Sequence, residues 1–263
     1  MASFISDGVT IAFDDIGPPH SGRTIVLIHG FASNRNEGWK RTGWYQAFER
    51  RRMRAIALDQ RGHGESQKLY EPEAYGREKL AGDVLALMDH LGVRRAEVFG
   101  YSMGARTALA VAMAAPDRVS NLILGGVGGM LLEPSPAAVG EPMADAMLAE
   151  DPAAITQPML KSFRQFADEQ GEDRKALAAV TRVKNPPVDR DAMAALPMPV
   201  LVVAGQGDTG AGDPEGLSRI FPHGRSVTVP GCDHFSAIPH ALTKAAVFDF
   251  LDGLLDDDFP PFE

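Results

Sequence analysis

The stretch Ala96-Glu97-Val98-Phe99-Gly100-Tyr101-Ser102-Met103-Gly104-Ala105, continued by Arg106 to Ala115, joins two different periodicities through one tight turn. Ala96 to Phe99 is a short run of strand-forming character, whereas Ser102 to Ala115 has helical spacing and is ended by Pro116. Between them lies Gly100-Tyr101-Ser102-Met103-Gly104, a G-x-S-x-G pentapeptide. A serine held at a sharp strand-to-helix reversal needs an unfavourable backbone conformation, and glycines two positions on either side keep side chains from colliding there. The hydroxyl then projects above the sheet, beside the N–H groups of a helix N-terminus that attract negative charge. Small residues on the helix, Gly104, Ala105, Ala108, Ala112 and Ala115, let it lie close against a sheet.

Outward from this unit the same alternation repeats. Thr24–Ile28, Arg54–Leu58, Val119–Leu124, Pro199–Val203 and Arg225–Val229 are short, rich in Val, Ile and Leu, and bounded by turn residues. Such runs read as strands covered on both faces, as in a parallel sheet. Ser3 to Phe13 is expected to add an antiparallel pair at the edge. Glu78 to Leu91 carries Leu80, Val84, Leu87, Met88 and Leu91 on one stripe and is stopped by Gly92, and Thr243 to Leu255 is a further helix. The expectation is an α/β fold: a mostly parallel twisted sheet with helices on both faces. The alternation fails between about Gly128 and Leu196, where Ala137–Ala149, Ala153–Ala167 and Asp173–Thr181 read as short helices. An inserted helical cap over 128–196 is therefore expected, within a core made of 1–127 and 197–263.

Composition narrows the function classes. With 263 residues, 44% hydrophobic and 23% charged, the chain is neither disordered nor collagenous nor a coiled coil. A net charge of −9 repels phosphate backbones and anionic lipid, so neither nucleic acid nor a membrane is expected as a partner. The basic knot of Arg50, Arg51, Arg52 and Arg54 reads as positive charge at a helix C-terminus. The single cysteine, Cys232, excludes an internal disulfide and multi-cysteine metal sites. The opening residues have no positively charged or apolar leader segment, and no run approaches the ~18 apolar residues of a membrane span, which makes the cytoplasm the default compartment. Oligomeric state is left open.

G-x-S-x-G alone is a weak signal, but four further motifs stand beside it. His29-Gly30-Phe31 follows the run Thr24–Ile28, Asp59-Gln60-Arg61-Gly62-His63-Gly64-Glu65-Ser66 follows Arg54–Leu58, Gly205-Gln206-Gly207-Asp208 follows Pro199–Val203, and Gly231-Cys232-Asp233-His234-Phe235 follows Arg225–Val229. In this order and placement the sequence resembles the α/β-hydrolase superfamily over nearly its whole length. A bare serine hydroxyl needs a base within hydrogen-bond reach and a third group to hold that base. His234 is the expected base, because it follows the last strand at the edge where sites of open α/β sheets lie. His223 precedes that strand and His240 opens the last helix. Asp208 is the expected acid, with Asp213 as the fallback. Asp233 adjoins His234 and is badly placed to reach its ring, and Gly125 and Gly126 leave no acid after the strand ending at Leu124. The resemblance assigns the oxyanion-binding N–H groups to the backbones of Phe31 and Met103, with Gly100 and Gly104 shaping the nucleophile turn. Asp59 and Arg61 are expected to tie loops together, and His63 to belong to that scaffold.

A competing pattern, Gly205, Gly207 and Gly210 as G-x-G-x-x-G, lacks the following helix start and the acidic residue of a dinucleotide site. No P-loop and no HExxH are present. No cofactor and no metal are expected. The implied activity is hydrolysis of a small to medium hydrophobic carboxylic ester by a Ser102–His234–Asp208 triad. Perhydrolase or cofactor-free haloperoxidase chemistry and carbon–carbon bond hydrolysis are the enzymatic alternatives, and a non-catalytic binding protein on the same fold is the alternative of another class. Relatives with an Asp nucleophile are set aside because position 102 is Ser. Met130, Met143, Met147, Met159, Phe163 and Phe166 are candidates for an apolar pocket or for the cap's own core. Asn34, Arg35, Glu37 and Trp39 are expected on a surface loop, with contact to a polar end of the substrate as the alternative reading.

Overall fold

Among the residues described by the computed structural model, 2–18, 22–133 and 137–255, eight strands form one sheet. Residues 1, 19–21 and 256–263 of the expected core, and 134–136 of the expected insertion, lie outside the described residues. The strands are β1 (Ala2–Ser6), β2 (Val9–Ile16), β3 (Thr24–Ile28), β4 (Arg54–Leu58), β5 (Ala96–Tyr101), β6 (Val119–Gly125), β7 (Val200–Gly205) and β8 (Gly224–Val229), in the order β1-β2-β4-β3-β5-β6-β7-β8. β1 pairs antiparallel with β2, and β2 with β4; every other pairing is parallel.

The unbroken apolar runs are explained by a sheet buried on both faces. On β3, Val26 and Ile28 join Val84 and Leu87 of α2 (Arg77–His90) and Ala105 and Ala108 of α3 (Met103–Ala114). Ile25 and Leu27 point the other way, into a cluster with Trp44 and Phe48 of α1 (Trp44–Arg50) and Val247 of α9 (Ala241–Leu251). The two-residue side-chain period of a strand divides one sequence run between two cores. All four side chains are fully buried, each contributing about 1.5–3 kcal/mol.

The basic knot separates into different roles. Arg50 lies in the last turn of α1, and Arg51 sits 4.1 Å from the Phe248 ring centroid and pairs with Asp252. Arg54 belongs to β4, where Nε and Nη2 both reach Asp15 at 2.8 Å.

Between β6 and β7 the chain leaves the sheet for α4 (Ala137–Leu148), α5 (Pro158–Gln170), α6 (Arg174–Arg182) and α7 (Arg190–Ala194). Met143, Met147, Leu160 and Leu177 pack there with Ala32 of the loop after β3. Arg164 is buried and donates from Nη1 to the carbonyls of Ala146 and Ala149, placing a cation on the C-terminal end of α4. Helix α5 starts at Pro158, five residues later than the spacing predicts, because proline suits the first helical position; Pro152–Ala154 is a separate 3₁₀ turn. Helix α8 (Pro214–Ser218) precedes β8.

Candidate active site

Ser102 sits between β5 and α3 with φ +56° and ψ −115°, one of four non-glycine residues with positive φ among those described. A side chain in this conformation costs on the order of 1–3 kcal/mol and persists only where the surroundings over-determine it. They do so here through close backbone approach. A Cβ on Gly100 would lie 2.0 Å from the Gly104 carbonyl oxygen, and one on Gly104 would lie 2.0 Å from that of Ile28. The Ser102 N–H is held by Gly125 O at 2.7 Å.

His234 lies in the loop after β8, and its Nε2 is 3.0 Å from Ser102 Oγ while its Nδ1 is 2.6 Å from Asp208 Oδ2. Asp208 is buried, follows β7, and also accepts from the Ala211 N–H at 3.1 Å. The Tyr101 hydroxyl donates to the His234 carbonyl at 2.7 Å and fixes its backbone. Gly125 and Gly126 leave the room this needs: a Cβ on the first would meet Tyr101 at 2.6 Å, and one on the second would meet His234 Cε1 at 3.2 Å.

The other candidates are occupied elsewhere. Asp213 caps α8, accepting from the N–H groups of Glu215 and Gly216. Asp233 folds back on its own loop, bound by Ser236 Oγ and the N–H groups of Phe235 and Ser236, and the Ser236 hydrogen bonds hold its pKa down. The carbonyl of His223 receives the Val200 N–H at the opposite end of the sheet, and His240 caps α9.

The loop after β3 passes directly beside the serine, since a Cβ on Gly30 would lie 3.3 Å from Ser102 Cβ. Among the described residues, neither the Phe31 N–H nor the Met103 N–H meets a backbone or side-chain acceptor. His29 anchors this loop from beneath: its Nε2 accepts from the Gln60 N–H at 3.0 Å, so its Nδ1 is the protonated nitrogen and donates to Gly30 O at 2.8 Å. Gln60 continues the network to the His29 carbonyl and to Thr107 of α3. Burial keeps both neighbouring imidazoles neutral, pushing His29 down to about 4 and His63 down to about 3.

Asp59 and Arg61 tie elements together as expected. Asp59 accepts from the N–H groups of Arg35 and Glu65 and pairs with the Arg35 guanidinium, while Arg61 makes a two-pronged contact with Asp83 of α2 at 2.7 Å on each prong. The surface-loop expectation fails for Trp39 and Arg35. The five residues Asn36–Lys40 form one helical turn that drives Trp39 into the aromatic cluster of Trp44 and Phe99. Arg35 is buried among Asp14, Asp59 and Glu65. Asn34 donates to Glu172, which stands between α5 and α6 and also accepts from the Gly64 N–H at 2.9 Å.

A cavity of about 400 Å³ opens on Ser102 and His234. The loop after β3 supplies Phe31, Ser33 and Glu37, and α5 supplies Phe163, Phe166 and Glu169. Of the six pocket candidates only Phe163 and Phe166 line it. Met143 and Met147 are core, and Met130 and Met159 are exposed elsewhere. Tyr101, Phe235 and Ile238 complete the wall without having been expected. Among the described residues no group of three or more His, Cys, Asp or Glu is arranged to hold a metal ion, and no helix is long and apolar enough to cross a membrane.

The family model of the alpha/beta hydrolase fold matches residues 23–167, more than half of the chain. The chain belongs to this family. As an α/β hydrolase it is similar along nearly all its length to a hydrolase from Pseudomonas aeruginosa PA01, with TM-score 0.79, 26% identity and coverage of 95% of this chain and 97% of that one. It is also similar to a thermophilic esterase from Thermogutta terrifontis, with TM-score 0.76, 25% identity and 97% of each chain covered. Over 162 residues it is 36% identical to the dihydrolipoyllysine-residue acetyltransferase component of the acetoin cleaving system of Pseudomonas putida, covering 58% of this chain and 42% of that protein. The chain spans less than half the length of the curated relatives it matches. In this α/β hydrolase the residues missed from the sequence had a partial signal. Ser162, Phe163, Phe166 and Glu169 share one face of α5, so the two phenylalanines marked that face and helical spacing extends it.

Proposed function

We propose that the protein is a serine hydrolase that cleaves carboxylic esters through an acyl-enzyme intermediate, with 128–196 acting as a helical cap over a core of 1–127 and 197–263. The observation that carries this reading is the unbroken chain of hydrogen bonds from Ser102 Oγ through His234 to Asp208, opening on a cavity to whose wall Phe31, Phe163, Phe166 and Phe235 contribute. His234 Nε2 takes the serine proton as Oγ bonds to the acyl carbon, and Asp208 holds the imidazolium that results. The negative charge collecting on the acyl oxygen is received by the N–H groups of Phe31 and Met103. Collapse breaks the ester C–O bond, and His234 returns the proton to the leaving alcohol. Water then gives a proton to the same nitrogen as it attacks the acyl carbon, and breaking of the acyl–Oγ bond returns that proton to Ser102 and releases the acid. Similarity to an esterase supports this choice among the reactions known on the fold.

The test is a p-nitrophenyl ester series of increasing acyl length on wild type and Ser102→Ala. The substitution is expected to lower kcat by up to ~10⁶-fold; turnover within about tenfold of wild type would remove Ser102 from the mechanism. Rapid labelling of Ser102 by a fluorophosphonate separates this enzyme from a binding protein with an unactivated serine.

A further inference from the structure

The walls of the cavity say what charge the substrate carries. Phe31, Phe163, Phe235 and Phe166 form a continuous aromatic surface, with successive ring centroids 5.9, 5.4 and 5.5 Å apart, and Phe235 and Phe163 stand 5.6 and 6.1 Å from the His234 ring. This surface begins at the reacting groups. Two carboxylates, Glu37 and Glu169, also line the cavity, and among its described lining residues there is no lysine or arginine. Arg41 donates to Glu37 Oε2 at 2.9 Å, so these two charges offset each other, whereas the uncharged Gln165 amide donates to Glu169 Oε1 at 2.8 Å and leaves that carboxylate as the unbalanced charge of the lining.

We infer, on the ester-hydrolase reading above, that the substrate is an ester without any anionic group, and that a positively charged group at the end remote from the scissile bond is favoured. An anionic tail would leave water for an aromatic wall and meet the unbalanced charge of Glu169. A cationic tail meets the Glu169 carboxylate and the negative faces of phenylalanine rings, which attract ammonium groups. The net charge of −9 acts on approach in the same direction.

The experiment uses three p-nitrophenyl esters of matched acyl length whose tails end in methyl, carboxylate or trimethylammonium, each rate divided by that ester's hydroxide-catalysed rate. The carboxylate ester is expected to have kcat/KM about tenfold or more below the methyl ester, and the trimethylammonium ester to exceed the methyl ester, so that a trimethylammonium ester no better than the methyl ester overturns the cation preference. Raising the salt concentration narrows the spread, and Glu169→Lys raises the carboxylate ester relative to the methyl ester. Turnover of the methyl ester together with equal turnover of the carboxylate ester, or an unchanged ratio in Glu169→Lys, overturns the charge assignment and leaves the ester-hydrolase reading standing. No turnover of any ester and no labelling of Ser102 by an uncharged fluorophosphonate overturns both.

Discussion

Replacing Gly104 by alanine adds one methyl group at the most crowded point of the nucleophile turn. Its Cβ would stand 2.0 Å from the Ile28 carbonyl oxygen and 2.5 Å from that of His29, where ordinary contact begins near 3.4 Å. Both neighbours are backbone, so relief requires α3 and β3 to separate by roughly 1.4 Å instead of a rotamer change. That movement parts the two segments whose N–H groups, at Met103 and Phe31, are proposed to receive the oxyanion, and it shifts Ser102 relative to His234. A misplacement of about 1 Å costs on the order of 10²-fold in rate, and overpacking of this kind costs about 1–3 kcal/mol in stability. The assay is kcat on p-nitrophenyl butyrate with urea unfolding in parallel. Gly82→Ala is the control: the same methyl on α2 meets nothing within 4 Å and should stabilise by about 0.5–1 kcal/mol with turnover unchanged. A folded Gly104→Ala protein with kcat within about threefold of wild type would refute the argument from close backbone approach.

Asp208→Asn should lower kcat by about 10⁴-fold with little loss of fold, whereas Asp213→Ala should cost about 1 kcal/mol of cap energy in urea unfolding and keep its turnover; the reverse pattern would exchange their roles. Glu172→Ala leaves the Asn34 amide and the Gly64 N–H without their acceptor, so stability should fall by about 2–4 kcal/mol, and an unchanged urea midpoint would contradict that bridge. His29 and His63 are held at about 4 and about 3 against an ordinary value of 6.5, so the unfolded chain binds their protons first as pH falls. Their neutral state is without penalty above pH 6.5, and each loses about 1.4 kcal/mol of stability per pH unit below it, down to its folded value. Burial raises the pKa of Asp59 and of Glu172, which offsets part of this loss. Urea unfolding between pH 7 and 5 should show the net fall, and His63→Leu should shed one proton from the slope; an unaltered slope would refute it.

The parts of the fold legible in the sequence were those written in local pattern. β3 and β4 have the limits their apolar runs indicate, and the nucleophile turn announces itself through glycines whose absent Cβ atoms the backbone needs. The three residues of the proposed triad were also legible, because each ends a strand at the same edge of the sheet. α8 was not: Pro214 reads as a break, yet with Asp213 before it as a cap it is a helix start. Trp39 was hidden because five residues carry too little periodicity to reveal a single buried turn. Glu172 was unreadable in principle, since its partners lie 108 and 138 residues away along the chain.

Ser102 and His234 are separated by 132 residues, and the proposed acid and base follow the last two strands of the sheet, β7 and β8. During synthesis the serine elbow is therefore made long before its partners leave the ribosome. A nascent chain that has added strands only as far as β6 already has the shape of the turn but lacks Asp208 and His234, the proposed partners of Ser102. On the proposed mechanism reactivity switches on with the docking of the final two strands, so fragments ending before Val200 should be inactive and gain of turnover should report completion of the sheet.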